Sequence, residues 1–231
     1  MSGPGILTVR FEVAPEGESL VNRWYDEVHI AERLAVPKFT GIRRYRSLAE
    51  PLEHLAMWDV EDASWPFDPA YRAIPTELWR DRIGHLRGKS TRIGWQEIPT
   101  AAPPGPNPAD APDVGIRMVL MEVPPQHSAD FNDWYDQDHI PELLKRPQYL
   151  GIRRFRQLDS DNYLAVWYLT DGGLHLRPDF VPAEPTEWGR RVADYRRRVE
   201  HSSWLEIPTP LADASSGDAR SAPGGSREEL G

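Results

Sequence analysis

Cysteine is absent from the 231 residues. That excludes a disulfide framework, a thiolate nucleophile and a cysteine-ligated metal, and it fits a reducing cytoplasm. Met1 to Gly5 shows no basic segment followed by an apolar run, so no signal peptide is expected. No stretch approaches the roughly 18 consecutive apolar residues of a membrane span. A Gly-rich phosphate loop and a Gly-x-Ser-x-Gly elbow are both missing. Positive charge is outweighed: the formal net charge is −9, which disfavours nucleic acid and anionic membranes as partners.

What is present is aromatic and apolar. Hydrophobic residues make up 39% of the chain, and there are 9 Trp, 8 Tyr and 6 Phe. This is enough to bury a packed core. The chain is also internally duplicated, with an offset of 110 that slips to 109. Ile6 to Val13 matches Ile116 to Val123. Trp24-Tyr25-Asp26 with His29-Ile30 and Glu32 matches Trp134-Tyr135-Asp136 with His139-Ile140 and Glu142. Pro37 matches Pro147, and Gly41 to Arg46 matches Gly151 to Arg156. Leu55-Ala56 with Trp58 matches Leu164-Ala165 with Trp167. Pro75-Thr76-Glu77 matches Pro185-Thr186-Glu187. Trp95 with Glu97 to Thr100 matches Trp204 with Glu206 to Thr209. Seven collinear matches establish a tandem repeat. The organisation expected is a first repeat at 1–100, a Pro/Ala-rich linker at 101–113, a second repeat at 114–209 and a disordered tail at 210–231.

Within one repeat, Ile6 to Val13 alternates in β-formers and predicts a strand. Val21, Trp24, Tyr25, Val28 and Leu34 predict a helix over Val21 to Leu34, entered near Ser19 and, in the second repeat, near Ser128. Pro141 predicts that the second copy of this helix ends near His139. Strands are predicted at Gly41 to Leu48, Leu55 to Val60 and Ile93 to Ile98, and a second helix begins at Pro75. The order β-α-β-β-α-β is the ferredoxin-like unit. Its sheet carries helices on one face only and leaves the other face to be covered. The expected fold is therefore α+β: two ferredoxin-like units packed sheet to sheet as one intramolecular α/β barrel.

The run Trp-Tyr-Asp-x-x-His-Ile-x-Glu, then Pro, then Gly-x-x-Arg-Tyr/Phe-Arg resembles the dimeric α/β-barrel superfamily. That superfamily includes EthD-like proteins, antibiotic-biosynthesis monooxygenases and polyketide cyclases of the olivetolic acid cyclase type. The resemblance spans about residues 5–100 and 114–209. It implies a pocket in each unit between helices and sheet, with a His near the end of the first helix acting as acid or base. His29 and His139 occupy that place.

Histidine titrates near neutral pH and suits proton transfer. On a regular helix Tyr25, His29 and Glu32 share a face, as do Tyr135, His139 and Glu142. The carboxylates would orient the imidazoles and the phenols would donate to a developing oxyanion. The structural alternative is that these clusters stabilise the helix end, with Trp24 and Trp134 as core anchors. Arg44 and Arg154 could clamp a substrate carboxylate or enolate, or form ion pairs with the many acids. Glu97 and Glu206 are expected to pair with strand arginines. The repeats diverge between the third strand and the second helix, where loops often carry specificity. Trp65, Phe67, Tyr71 and His175 are expected to line an apolar, aromatic-friendly cavity, and the two pockets are expected to differ.

His29 with Glu32 makes one His-x-x-Glu pair per repeat. His54 and His85 have no counterparts, with Tyr195 at the place of His85, so no metal set is expected. No cofactor is expected either, although haem could be held by His29 or His139. The leading expectation is a cofactor-independent enzyme of the cyclase, isomerase or lyase type. Its substrate would be an apolar, aromatic or polyketide-like metabolite, and His29 and His139 would be its acid/base groups. The alternatives are a cofactor-free or haem-dependent monooxygenase and a non-catalytic small-molecule binding protein. The oligomeric expectation is a monomer with an internal pseudo-dimer, or a homodimer.

Overall fold

The computed structural model describes residues 2–74, 83–104 and 114–209. The second helix predicted at Pro75, most of the linker and the whole tail lie outside these residues.

Strand β1 (Gly5–Val13) leads through a short 3-10 turn into helix α1 (Glu18–Trp24). The helix continues through a π-helical turn (Tyr25–His29) and closes as α2 (Ile30–Leu34). Strands β2 (Phe39–Ser47) and β3 (Glu53–Val60) form a hairpin. A 3-10 turn (Trp65–Phe67), the one-turn helix α3 (Pro69–Arg72) and the strand β4 (Arg87–Ile98) complete the first half. The second half repeats this with β5 (Gly115–Glu122), α4 (Ser128–Trp134), a second π-helical turn (Tyr135–His139) and α5 (Ile140–Leu144). It then runs through β6 (Tyr149–Gln157), β7 (Asn162–Leu169), α6 (Glu187–Tyr195) and β8 (Arg197–Ile207).

All eight strands are antiparallel and close one barrel in the order β1-β3-β2-β8-β5-β7-β6-β4. Two seams join the halves. Arg44 to Ser47 of β2 pair with Ile207 to Trp204 of β8, and Trp95 to Ile98 of β4 pair with Gln157 to Arg154 of β6. Closure removes every sheet edge that a lone unit would expose.

Strand alternation divides the apolar residues into three layers. Ile6, Tyr45, Met57, Trp95, Ile116, Phe155, Tyr168 and Trp204 fill the barrel interior. The opposite faces pack under the helices, with Trp24, Tyr25, Ile42 and Trp58 in the first half and Trp134, Tyr135, Ile152 and Trp167 in the second. Trp24 and Trp134 are core anchors, as expected. Gly5 and Gly115 begin equivalent strands where only glycine fits. A Cβ would come within 1.9 Å of the Trp95 carbonyl oxygen at Gly5 and within 2.4 Å of the Trp204 carbonyl oxygen at Gly115.

The elements differ from expectation in three ways. The first helix starts at Glu18, ahead of Val21, and contains the π-helical turn. Its second copy does not stop at His139: Pro141 sits in the first turn of α5, where a missing N–H is tolerated. Both copies follow the same path although the first has Ala31 there, so the π-helical turn is not the work of the proline. Strand β4 starts at Arg87, not Ile93, because its polar first half is exposed and reads as loop. In the second half Thr186 caps α6, its hydroxyl accepting from the Gly189 N–H at 2.9 Å.

Candidate active site

A cavity of about 510 Å3 opens in the first half, between the α1–α2 helix and the outer face of the sheet. Small-molecule sites span roughly 300–1,000 Å3. Its apolar wall includes Leu7, Val9, Trp24, Phe39, Trp58 and Tyr71.

His29 reaches this cavity through the π-helical turn. An α-helix sets residues five apart far round the axis, whereas i→i+5 bonding brings them nearly above one another. The His29 ring accordingly stacks on Trp24 with centroids 4.1 Å apart and planes 19° from parallel. Tyr25 meets it edge-on at 5.1 Å and Trp58 at 5.6 Å. The Nδ1 atom lies 3.5 Å from Glu32 Oε2, an ion pair only when the ring is protonated, and Nδ1 itself makes no hydrogen bond. Burial, then the charges of Arg33, Arg87 and Arg92, holds the His29 pKa well below the usual 6.5. The imidazole is therefore neutral at neutral pH. Tyr25 lines the same cavity, and burial raises its pKa, so its phenol keeps its proton.

In the second half the box is rebuilt around His139, which stacks on Trp134 at 4.3 Å, meets Tyr135 at 5.1 Å and Trp167 at 5.7 Å. Burial and Arg196 lower its pKa to about 4. The surroundings differ, however. Glu142 pairs with Lys145 at 2.5 Å, away from the orienting position expected for it. The Tyr135 hydroxyl donates to the Met121 sulfur at 3.7 Å. A separate cavity of about 240 Å3 lies beyond Tyr149, walled by Arg146, Arg177 and Phe180 among others, and His139 is not part of it.

Other expected site residues fall elsewhere. Tyr71 lines the first cavity, but Trp65 and Phe67 lie outside its wall. Trp65 meets Tyr71 edge-on at 6.1 Å and sits beneath the Lys38 ammonium, while Phe67 packs against Gly94. Arg44 and Arg154 also lie outside it. Arg44 is clamped between strand and helix by Asp26 and Asn22, with its guanidinium over the Tyr25 ring. Arg154 repeats this with Asp136, Asn132 and the Tyr135 ring. Both are tied to their helices by ion pairs. His175 belongs to the second half, where its Nε2 is 2.9 Å from the Tyr149 hydroxyl and its ring 4.4 Å from Phe180. Burial, then Arg117, depresses its pKa to about 3. Glu97 does pair with a strand arginine, taking Arg153 in a two-pronged contact at 2.8 and 2.9 Å while Asp59 holds the third nitrogen at 2.7 Å.

Sequence reasoning missed all four cavity arginines, Arg33, Arg72, Arg87 and Arg92. Arg33 stands four residues after His29, a spacing that could have revealed it. Among the described residues no three His, Asp or Glu side chains gather to hold a metal ion. No described helix is long and apolar enough to cross a membrane.

Comparison by sequence finds no matching family model and no matching curated protein. Comparison of folds does find similar structures. A proposed monooxygenase from Lactobacillus acidophilus NCFM superposes with a TM-score of 0.60 at 9% identity, covering 88% of this chain and 94% of the other. An anthrone oxidase-like protein also reaches 0.60 at 8% identity, covering 90% and 92%. A mutant chlorite dismutase from Candidatus Nitrospira defluvii, in complex with cyanide, gives 0.55 at 13% identity, covering 90% and 92%. These likenesses support the closed α+β barrel fold seen here, built from one chain.

Proposed function

We propose that the chain is a cofactor-independent enzyme that moves a proton on an aromatic or polyketide-like small molecule in its first-half cavity. The reaction class is cyclisation, isomerisation or lyase-type cleavage. The observation that carries this reading is a neutral, ring-stacked imidazole at the wall of a ligand-sized aromatic cavity. His29 is the base. It accepts a proton from a carbon acid held against Trp58 and Tyr71, and Glu32 beside Nδ1 stabilises the imidazolium that forms. The protonated Tyr25 phenol is the donor to the developing enolate oxygen. His139 and Tyr135 repeat the architecture in the second half, where the same proton chemistry would run if a ligand reaches them.

The test is deuterium incorporation, followed by NMR, into a panel of aryl ketones with exchangeable α-hydrogens. It is run without oxygen and with a chelator. The expected result is enzyme-dependent exchange into at least one member. Exchange no faster than in buffer across the panel overturns the reading.

A second reading is oxygenation, favoured by the aromatic cavity together with the fold neighbours described as a proposed monooxygenase and anthrone oxidase-like. Haem is the cofactor to consider there. His29 would be its nitrogen donor, with Glu32 behind Nδ1 as the orienting acceptor. Haem supplies oxygen activation when bound. Oxygen uptake on adding an aromatic substrate separates this reading from the first, and a Soret band in purified protein identifies the haem form.

A further inference from the structure

The chain carries a net charge of −9, yet the described wall of its larger cavity holds Arg33, Arg72, Arg87 and Arg92 against one acid, Glu32. Two of these arginines are set into the structure. Arg33 is only 6% exposed; its Nη1 donates to the Tyr71 hydroxyl at 3.3 Å and its Nη2 lies 3.6 Å from Glu32. Arg87 spreads over the Phe11 ring at 4.6 Å and reaches Trp24 at 6.0 Å, and its buried Nε has no hydrogen-bond partner. An unpaired buried guanidinium nitrogen costs stability unless something accepts from it. Arg92 is exposed at the mouth, two residues along β4 from Ser90, which also lines the cavity.

Two of the four are particular to the first half, whereas Arg87 has a counterpart in Arg196. Arg33 of α2 corresponds to Leu143 of α5, which is buried in the second core. Arg92 pairs across to Val9, and the equivalent partner of Val119 is His201. Nothing in the barrel fold requires Arg33 or Arg92, since the second half forms the same barrel without them.

We infer that the first-half cavity takes an aromatic carboxylate: a planar ring against Trp24, Trp58 and Tyr71, with its carboxylate accepting from Arg87 and Arg92. Arg33, already engaged with Tyr71 and Glu32, sets the positive potential of the wall. The inference rests on the reading of this cavity as the substrate site and specifies its substrate as an acid. A guanidinium–carboxylate contact in a partly dry cavity is charge-assisted and directional. A neutral isostere forfeits that contact while keeping the ring packing.

The test is titration of tryptophan fluorescence with 2-naphthoate and with its neutral isostere 2-naphthamide. Naphthoate is expected to bind at least about tenfold more tightly than naphthamide. Arg87→Gln is expected to abolish most of that preference, lowering naphthoate affinity far more than naphthamide affinity. Arg92→Gln changes an exposed residue that folding does not need, and is expected to lower naphthoate affinity severalfold. Equal affinity for the two probes, no binding of either, or wild-type preference in both variants overturns the inference. His29→Asn is expected to keep the preference for naphthoate over naphthamide, since the arginines remain. Arginine-dependent naphthoate binding without any α-proton exchange would defeat the reaction proposed above and leave the ligand class standing. Exchange on neutral aryl ketones without a naphthoate preference would do the reverse.

Discussion

Trp24 and His29 stack at 4.1 Å although they stand five positions apart in the chain. The π-helical turn between them makes this contact, and Trp134 and His139 repeat it at 4.3 Å. A stacked face and two edge contacts leave the imidazole little rotational freedom, so its nitrogens point in fixed directions. Such turns recur at functional sites because they re-aim one side chain within an otherwise regular helix.

The first prediction follows from that contact. Trp24→Leu and Trp134→Leu each remove a buried indole and are expected to cost about 2–4 kcal/mol of unfolding free energy. They should differ in activity. Trp24→Leu frees His29 and is expected to lower α-proton exchange at least tenfold, whereas Trp134→Leu leaves it within about threefold. Urea denaturation and NMR exchange rates check both halves of the statement.

A second prediction concerns acid. His139 has a folded pKa of about 4, below its ordinary value of 6.5. Between those values the unfolded chain binds a proton at this site and the folded chain does not. Stability contributed by the neutral ring is therefore fully present above pH 6.5, falls as pH drops toward 4, and is constant below that. The interval corresponds to a loss on the order of 3 kcal/mol. Replacement by Leu removes the titration. Between pH 7 and pH 4.5 the parent is expected to lose more unfolding free energy than His139→Leu, by about 2 kcal/mol. Parallel losses would refute the assignment.

The third prediction addresses the seam between the halves. Arg153 of β6 grips Glu97 of β4 and Asp59 of β3 inside the closed barrel. Arg153→Met leaves two half-buried carboxylates facing each other and is expected to cost about 2–4 kcal/mol. Adding Glu97→Gln removes one stranded charge and should restore part of the loss. Equal stability of the single and double variants would show that the carboxylates are solvated well enough to need no partner.

The duplication, the chain order of the strands within each unit and the pairing of the units were readable because strand alternation and helical spacing leave strong periodic marks. Glu97 with an arginine was readable as well, since both sit on barrel strands at matched places. The π-helical turn was not: Trp24 to His29 at a spacing of five has no meaning on a regular helix, and Tyr-His-Glu at i−4 and i+3 was the pattern that a regular helix offered. Arg33 carries no mark of the repeat, because its counterpart is Leu143. Arg87 and Arg92 escaped because the polar half of β4 carries no apolar alternation. Trp65 and Phe67 lie in the divergent loop, as expected, but Trp65 packs beside Tyr71 and Phe67 against Gly94, and no local pattern distinguishes the front of such a loop from its back.

The most direct measurement compares His29→Asn with His139→Asn in the α-proton exchange assay, with naphthoate binding as the control for an intact cavity. The account predicts that His29→Asn loses exchange by at least about a hundredfold while still binding naphthoate, and that His139→Asn exchanges within about threefold of the parent. Full exchange in His29→Asn, or its loss only in His139→Asn, would contradict the assignment of the reaction to the first-half cavity.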